Sequence, residues 1–200
     1  MSSAGSVVGD ATLRLFLALQ LPEHVRRTLA RWARRHLPGP RLVPADDLHV
    51  TLAFLGRRPR EELPAILEAL HAAAARARPV ALAPVRWRET GSVGMVVLDD
   101  LQGSAAALAA DLHARLHALG VYRPERRPWL AHVTVARFRE RPRLQPPLPA
   151  TGTFVPSDAA AYISRLHPSG ARYEVLEAVP LHRSARSADD AQNPVGGVSS

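Results

Sequence analysis

The chain has 200 residues, enough for one domain of ordinary size with a single hydrophobic core. It contains no cysteine, which excludes disulfide bonds and thiolate metal sites. The 26 basic residues, all of them arginine, outnumber 18 acidic residues and give a formal net charge of +8, which indicates either an acidic partner such as nucleic acid or a biased genome composition.

The two ends of the chain carry no targeting or folding pattern. Met1–Asp10 lacks the basic-then-apolar pattern of an export signal, and no apolar run approaches the roughly 18 residues that a membrane span needs. Ser184–Ser200 contains almost no apolar side chains. We therefore expect a cytoplasmic protein that binds no membrane, with one domain over residues 11–183 and disordered termini over residues 1–10 and 184–200.

Apolar periodicity predicts strands and helices through the rest of the chain. In chain order, the first half contains a strand over Leu13–Leu21, a helix from Pro22 to His36, a strand over Leu48–Leu55 that ends at Gly56, a helix over Glu61–Ala77 and an edge strand over Val80–Arg88. The second half contains a strand over Gly94–Leu98, a helix over Ser104–Leu119 that ends at Gly120, and strands over Leu130–Phe138, Ala159–Leu166 and Tyr173–Val179, the last two joined by a hairpin turn at His167–Gly170. The order strand, helix, strand occurs in both halves, which predicts an internal duplication and two similar lobes related by approximate two-fold symmetry.

A four-residue pattern occurs in one strand of each half. It reads His49-Val50-Thr51-Leu52 in the first half and His132-Val133-Thr134-Val135 in the second. Because alternate side chains of a strand point to opposite faces, each motif presents one imidazole and one hydroxyl on one face, while Val50, Leu52 and Phe54 share the other. If the two polar faces meet across a cleft, one neutral and one charged imidazole can act together as base and acid on a phosphodiester.

Two further histidines, His113 and His117, lie four residues apart on the third predicted helix, a spacing found in zinc sites. No glutamate follows His113 and no third ligand is evident, so we expect these histidines on a solvated helix face. The acidic pairs Asp46-Asp47 and Asp99-Asp100 are interpreted as solvated loop charges, although they keep a metal-dependent phosphoesterase as an alternative. The sequence therefore predicts neither a metal nor a cofactor.

The segments Asp47–Gly56 and Ala131–Phe138 resemble the two signature motifs of the 2H phosphoesterase superfamily, and in particular those of the RNA 2′,3′-cyclic phosphodiesterases, historically called 2′-5′ RNA ligases. Arg14–Leu19 is similar to the opening strand of that family, and Ser164–Leu166 with Gly170–Leu176 is similar to its closing hairpin. The resemblance covers most of residues 12–180. It implies an α+β fold of two pseudo-two-fold-related lobes, with antiparallel sheets flanked by helices around a central cleft.

The resemblance also implies roles for five side chains in a metal-independent hydrolysis of a 2′,3′-cyclic phosphate to a 2′-phosphate. His49 would be the proton donor to the leaving 3′-oxygen and His132 the proton acceptor for water, although the symmetry of the motifs leaves this direction open. Thr51 and Thr134 would bind nonbridging phosphate oxygens. Arg137 is a further phosphate ligand by resemblance and by its chemistry, but strict alternation points it away from the His132 face, so the strand must end, twist or bulge there.

The expected partner is an RNA or nucleotide with a 2′,3′-cyclic phosphate end, and the expected oligomeric state is a monomer. Reversible 2′-5′ ligation of RNA is a further expectation. Two other functions compete with this one: hydrolysis of a small cyclic phosphate on a nucleotide or ADP-ribose, and noncatalytic binding of a nucleotide or RNA. The presence of both histidines and both threonines argues against the noncatalytic function, because binding alone does not require paired proton-transfer groups.

Overall fold

The computed structural model describes residues 11–167 and 170–181. The two termini that were predicted to be disordered, and the centre of the predicted hairpin turn at Pro168 and Ser169, lie outside the described residues. The elements are β1 (Thr12–Gln20), α1 (Glu23–His36), β2 (Arg41–Leu42), β3 (His49–Pro59), α2 (Leu63–Arg76), β4 (Leu82–Glu89), β5 (Val93–Asp100), α3 (Ser104–Ala118), β6 (His132–Arg137), β7 (Asp158–His167) and β8 (Gly170–Pro180). None of the helices in this part of the chain is both long and apolar enough to cross a membrane.

The strands form an antiparallel sheet with the order β4-β5-β6-β3-β1-β7-β8, and the short β2 pairs with β6. This arrangement confirms the predicted α+β class. The two motif strands, β3 and β6, are neighbours at the centre of this sheet. Next to each motif strand lies the strand that opens its half of the chain, β1 beside β3 and β5 beside β6, and the next strands outward are β7 and β4. At the junction itself, Val50 pairs with Val133. The predicted duplication thus has a counterpart in the sheet, while the two-lobed shape stays a prediction.

The main hydrophobic core lies between the helices and one face of the sheet. On β1, Leu13, Leu15, Leu17 and Leu19 are buried against this core. The other face of β1 carries Phe16 and Ala18, which form a separate small cluster with two residues of β7, Ala160 and Tyr162. The sheet therefore has one face that holds the fold together and one face on which a smaller aromatic cluster is built.

Two sequence predictions about element ends were wrong. The third helix was predicted to include Leu119, but α3 ends at Ala118 and Leu119 is 45% exposed, because the chain turns away at Gly120 with a φ of +71°. Gly56 was expected to end its strand, but β3 continues to Pro59. Gly56 has a φ of +70° and pairs with Leu15 at a register shift, so its positive φ forms a β-bulge within the strand.

A buried carboxylate anchors the segment that leaves β6. The side chain of Glu89 is 2% exposed and accepts hydrogen bonds from the backbone N–H groups of Arg143 (2.9 Å) and Leu144 (2.7 Å), from Arg141 Nε (3.2 Å) and from Trp87 Nε1 (3.2 Å). A buried carboxylate is stable only when it is satisfied in this way. Glu89 therefore fixes the path of the chain shortly after β6 ends.

We expect Glu89→Gln to lower the free energy of unfolding by about 1–3 kcal/mol in a urea titration, because an amide has one acceptor oxygen and leaves a backbone N–H without a partner. Arg141→Ala is the matched control. It removes the exposed member of the same ion pair and should cost less than about 1 kcal/mol. An equal loss in both variants would show that the ion pair, and not the backbone hydrogen bonds, stabilises this segment.

Candidate active site

The two motif strands lie side by side at the centre of the sheet. Since Val50 pairs with Val133 in an antiparallel register, the next positions place His49 beside Thr134 and Thr51 beside His132. Val50 and Val133 are fully buried on the core side, whereas the four polar residues are half-buried on the opposite face. The structure therefore brings together both histidines and both threonines that the sequence analysis singled out.

Both imidazoles are held in the same way by the backbone two residues before them. His49 Nδ1 lies 2.7 Å from the carbonyl oxygen of Asp47, and His132 Nδ1 lies 2.8 Å from the carbonyl oxygen of Leu130. A carbonyl oxygen can only accept, so each Nδ1 carries the proton and donates it. In the neutral ring, Nε2 is then the atom with a lone pair available for proton transfer.

Three aromatic rings pack around the imidazole of His49. Its ring centroid lies 4.8 Å from that of Phe16, 5.5 Å from Tyr173 and 5.8 Å from Tyr162. Burial lowers the pKa of His49 to about 4, the positive charges of His132 and Arg137 act in the same direction, and the hydrogen bond to the Asp47 carbonyl opposes them. His49 is therefore neutral at pH 7.

A β-bulge brings Arg137 to the face of the histidines. Met95 of β5 pairs with Thr134, and Gly94 pairs with Ala136, so Val135 is an extra residue in β6. The extra residue reverses the alternation beyond it. Of the three departures that the sequence analysis allowed, an end, a twist or a bulge, the structure has the bulge, and the exposed Arg137 lines a cavity of about 560 Å³ beside the motifs.

The first motif strand, β3, has an equivalent β-bulge, which the sequence analysis missed. Ala18 of β1 pairs with Thr51, and Leu17 pairs with Ala53, so Leu52 is an extra residue in β3. Phe54, which was expected to share the core face with Val50, is instead 67% exposed. Phe54 and Arg137 each follow their motif histidine by five positions. The internal repeat could have revealed the bulge in β3, because Phe54 occupies the position in the first half that Arg137 occupies in the second.

Two side chains hold the bulged segment of β3 through its carbonyl oxygens. Trp129 Nε1 donates to the Thr51 oxygen at 3.0 Å, and His113 Nε2 lies 2.8 Å from the Leu52 oxygen. The ring of His113 also stacks on Tyr122 at 4.6 Å. The prediction that His113 lies on a solvated helix face was therefore wrong: it is half-buried and contacts the motif strand, while His117 is exposed.

The cleft has a cavity on each side of Phe54, which lines both. The cavity of about 560 Å³ is lined by Arg14, Phe16, Arg41, Asp47, Arg137 and Tyr173, among others. The other, of about 300 Å³, is lined by Thr51, Arg88, Arg127, Trp129 and His132, among others. Within residues 11–167 and 170–181, no three His, Cys, Asp or Glu side chains lie together as a metal-ligand set. The site is thus a basic and aromatic cleft around two imidazoles.

Comparisons with known proteins find relatives in both sequence and fold. Residues 19–87 match the family model described as LigT-like phosphoesterase. An RNA 2′,3′-cyclic phosphodiesterase of Thermus thermophilus is 34% identical over 193 residues, which cover 91% of this chain and 96% of the relative. The crystal structure of Escherichia coli LigT complexed with 3′-AMP has a TM-score of 0.74 at 26% identity and covers 86% of this chain and 99% of its own. A crystal structure of a protein from Thermus thermophilus has a TM-score of 0.71 at 33% identity and covers 84% of this chain and 98% of its own.

An antiparallel α+β fold with two adjacent His-x-Thr strands, together with these likenesses, defines a 2H phosphoesterase, a hydrolase of phosphodiester bonds. Within that class, the chain belongs to the LigT-like phosphoesterases, the family of the RNA 2′,3′-cyclic phosphodiesterases.

Proposed function

We propose that the protein hydrolyses the 2′,3′-cyclic phosphate at the end of an RNA to a 2′-phosphate. The observation that carries the proposal is the pair of imidazoles on one face, each with Nδ1 donating to a carbonyl and Nε2 left for proton transfer. The relatives named RNA 2′,3′-cyclic phosphodiesterase support the substrate. The complexes of E. coli LigT with 3′-AMP and ATP support a nucleotide ligand.

In the proposed reaction, His132 Nε2 accepts a proton from water as the water oxygen bonds to phosphorus. The bond from phosphorus to the 3′-oxygen breaks, and His49 Nε2 donates a proton to that oxygen, which leaves a 3′-hydroxyl and a 2′-phosphate. Acid and base therefore exchange protonation states in one turnover, and the proton taken from water balances the one given to the ribose.

The lowered pKa of His49 sets a condition on its role as donor. The ring is neutral at pH 7, so it must take up a proton when the substrate binds. A phosphodiester anion favours this uptake because its negative charge compensates the positive charge of Arg137, which contributes to the lowered pKa of His49. The opposite direction, with His49 as base, is the competing outcome of the experiment described in the Discussion.

The remaining side chains have roles that follow from where they lie. Thr51 and Thr134 flank the histidines across the strand junction and would donate to nonbridging oxygens, where charge grows in the transition state. Arg137 would bind the same oxygens with its planar fork. Phe54, exposed between the two cavities, presents a flat apolar surface on which a nucleobase can stack.

The test is incubation of the purified protein with an oligoribonucleotide that ends in a 2′,3′-cyclic phosphate, in excess EDTA. We expect hydrolysis to persist and to yield a 2′-phosphate, because the proposed proton transfers use imidazoles. An oligoribonucleotide that ends in a 3′-phosphate is the control and should remain intact. Loss of turnover on chelation, restored by a divalent ion, would contradict the metal-free mechanism, and a 3′-phosphate product would contradict the assigned leaving oxygen.

A further inference from the structure

A third cavity, of about 390 Å³, continues from the cleft toward the start of β1. It shares Arg14 and Ser164 with the cavity beside Arg137 and is lined further by Arg57, Arg60 and Arg165. None of its lining residues is acidic. We call this cavity the arginine groove.

The sheet register shows how the arginine groove is joined to the active site. Phe16 pairs with Phe54 on one side and with Tyr162 on the other, which makes a row of aromatic rings beside His49. Arg14 lies on the same face of β1 as Phe16, two residues along the strand, which is about 7 Å. Arg14 in turn pairs with Arg57 of β3. A basic row therefore follows directly after the aromatic row.

Among the residues that the structure describes, no acidic side chain in the lining of the groove balances the positive charges of Arg14 and Arg57. Two arginines directly opposite one another on neighbouring strands repel each other. Arg57 Nη1 contacts the hydroxyl of Thr12 at 3.3 Å, which is a neutral partner. Arg165 pairs with Glu174 at 3.1 Å, but both side chains are more than half exposed, so this pair is weak. An anion bound in the groove would relieve the repulsion.

We propose that the arginine groove binds internal phosphodiesters of a single-stranded RNA whose cyclic phosphate end lies between His49 and His132. This inference rests on the proposed function and assigns the substrate as an RNA strand, not a small cyclic nucleotide. An exposed aromatic ring followed by a row of arginines suits a single strand, since a base can stack on Phe54 and phosphates can pair with the guanidinium groups. The groove holds the strand while the cleft holds its end.

The experiment compares kcat/KM for a 2′,3′-cyclic mononucleotide and for a hexaribonucleotide with the same cyclic end. In the double variant Arg57→Gln/Arg60→Gln, we expect kcat/KM to fall about 10-fold for the hexanucleotide and to stay within about two-fold for the mononucleotide. The slope of log kcat/KM for the hexanucleotide against log salt should become shallower by about 0.7 per arginine removed. Arg34→Gln, at an exposed position of α1 away from the three cavities, is the matched control and should change neither value.

Equal losses for both substrates, or an unchanged value for the hexanucleotide, would overturn the proposal. Thermal denaturation must give the same Tm for the variants and the wild type, and Arg57→Gln alone serves if the double variant does not fold. Binding of a 2′-phosphate-ended hexanucleotide, followed by fluorescence anisotropy, tests the groove without turnover. If no cyclic phosphate is hydrolysed but this binding weakens in the double variant, the proposed function is wrong, while binding of RNA in the arginine groove is supported. Unchanged binding in the double variant would overturn the proposal that the arginine groove binds RNA.

Discussion

His49→Ala and His132→Ala should each lower kcat by about 10²–10⁴-fold at pH 7, the usual contribution of one general acid or base. Each variant removes an Nε2 atom that the backbone holds ready for proton transfer through the Nδ1 hydrogen bond. The measurement is release of the 2′-phosphate product under saturating substrate. His24→Ala, an exposed histidine of α1, is the matched control and should leave kcat unchanged.

The double variant should lose less than the product of the two single losses, because the two imidazoles act in one concerted step. Circular dichroism and the Tm establish that the variants fold. A His132→Ala protein that folds normally and retains turnover near that of the wild type would contradict the two-histidine mechanism. Fully multiplicative losses would contradict the concerted step and favour independent roles.

A substrate with sulfur in place of the 3′-bridging oxygen separates the acid from the base, because a thiolate leaves without the help of a proton donor. The variant that lacks the acid should therefore be impaired much less on this substrate than on the oxygen substrate. We expect this rescue for His49→Ala and not for His132→Ala. Rescue of His132→Ala instead would reverse the direction of proton transfer and would agree with a His49 that is neutral before the substrate binds.

The sequence was sufficient to predict the paired motifs and the sheet elements around them because both depend on local patterns. An apolar alternation identifies β3 and β6, and the repeated His-x-Thr identifies the face that matters. The pairing of Val50 with Val133 is a long-range contact that alternation alone does not specify. The duplication suggested that the two polar faces meet, and the structure supplies the register in which they do.

The errors lie where a strand departs from strict alternation. Phe54 was placed in the core because a period of two was extended past Leu52, where the structure has a bulge. Gly56 was interpreted as a strand end because it is a glycine after an apolar run, whereas in the structure it lies at a second bulge. His113 was assigned to solvent because its partner is a carbonyl of a distant strand, which no helical periodicity reveals. Bulges and contacts between distant backbone and side-chain atoms depend on tertiary packing, so a single sequence does not encode them locally.

Arg137→Gln should lower kcat/KM at pH 7 by about 10²-fold, since it removes a charged donor from the oxygens on which negative charge grows. It should also change the pH dependence. In the wild type, the acid limb of kcat/KM should lie near pH 4, where His49 of the free enzyme takes up a proton.

The direction of the change follows from the causes of the lowered pKa. The positive charge of Arg137 disfavours protonated His49, so its removal raises the pKa and moves the acid limb to higher pH. Burial is the larger cause and is unaffected, so the limb should stay below the ordinary histidine value of 6.5. Arg139→Gln, two residues further on and outside the cavity beside the motifs, is the matched control and should leave both the rate and the limb in place. An Arg137→Gln protein with an unmoved limb and turnover near that of the wild type would show that the bulge of β6 does not bring this arginine into the reaction.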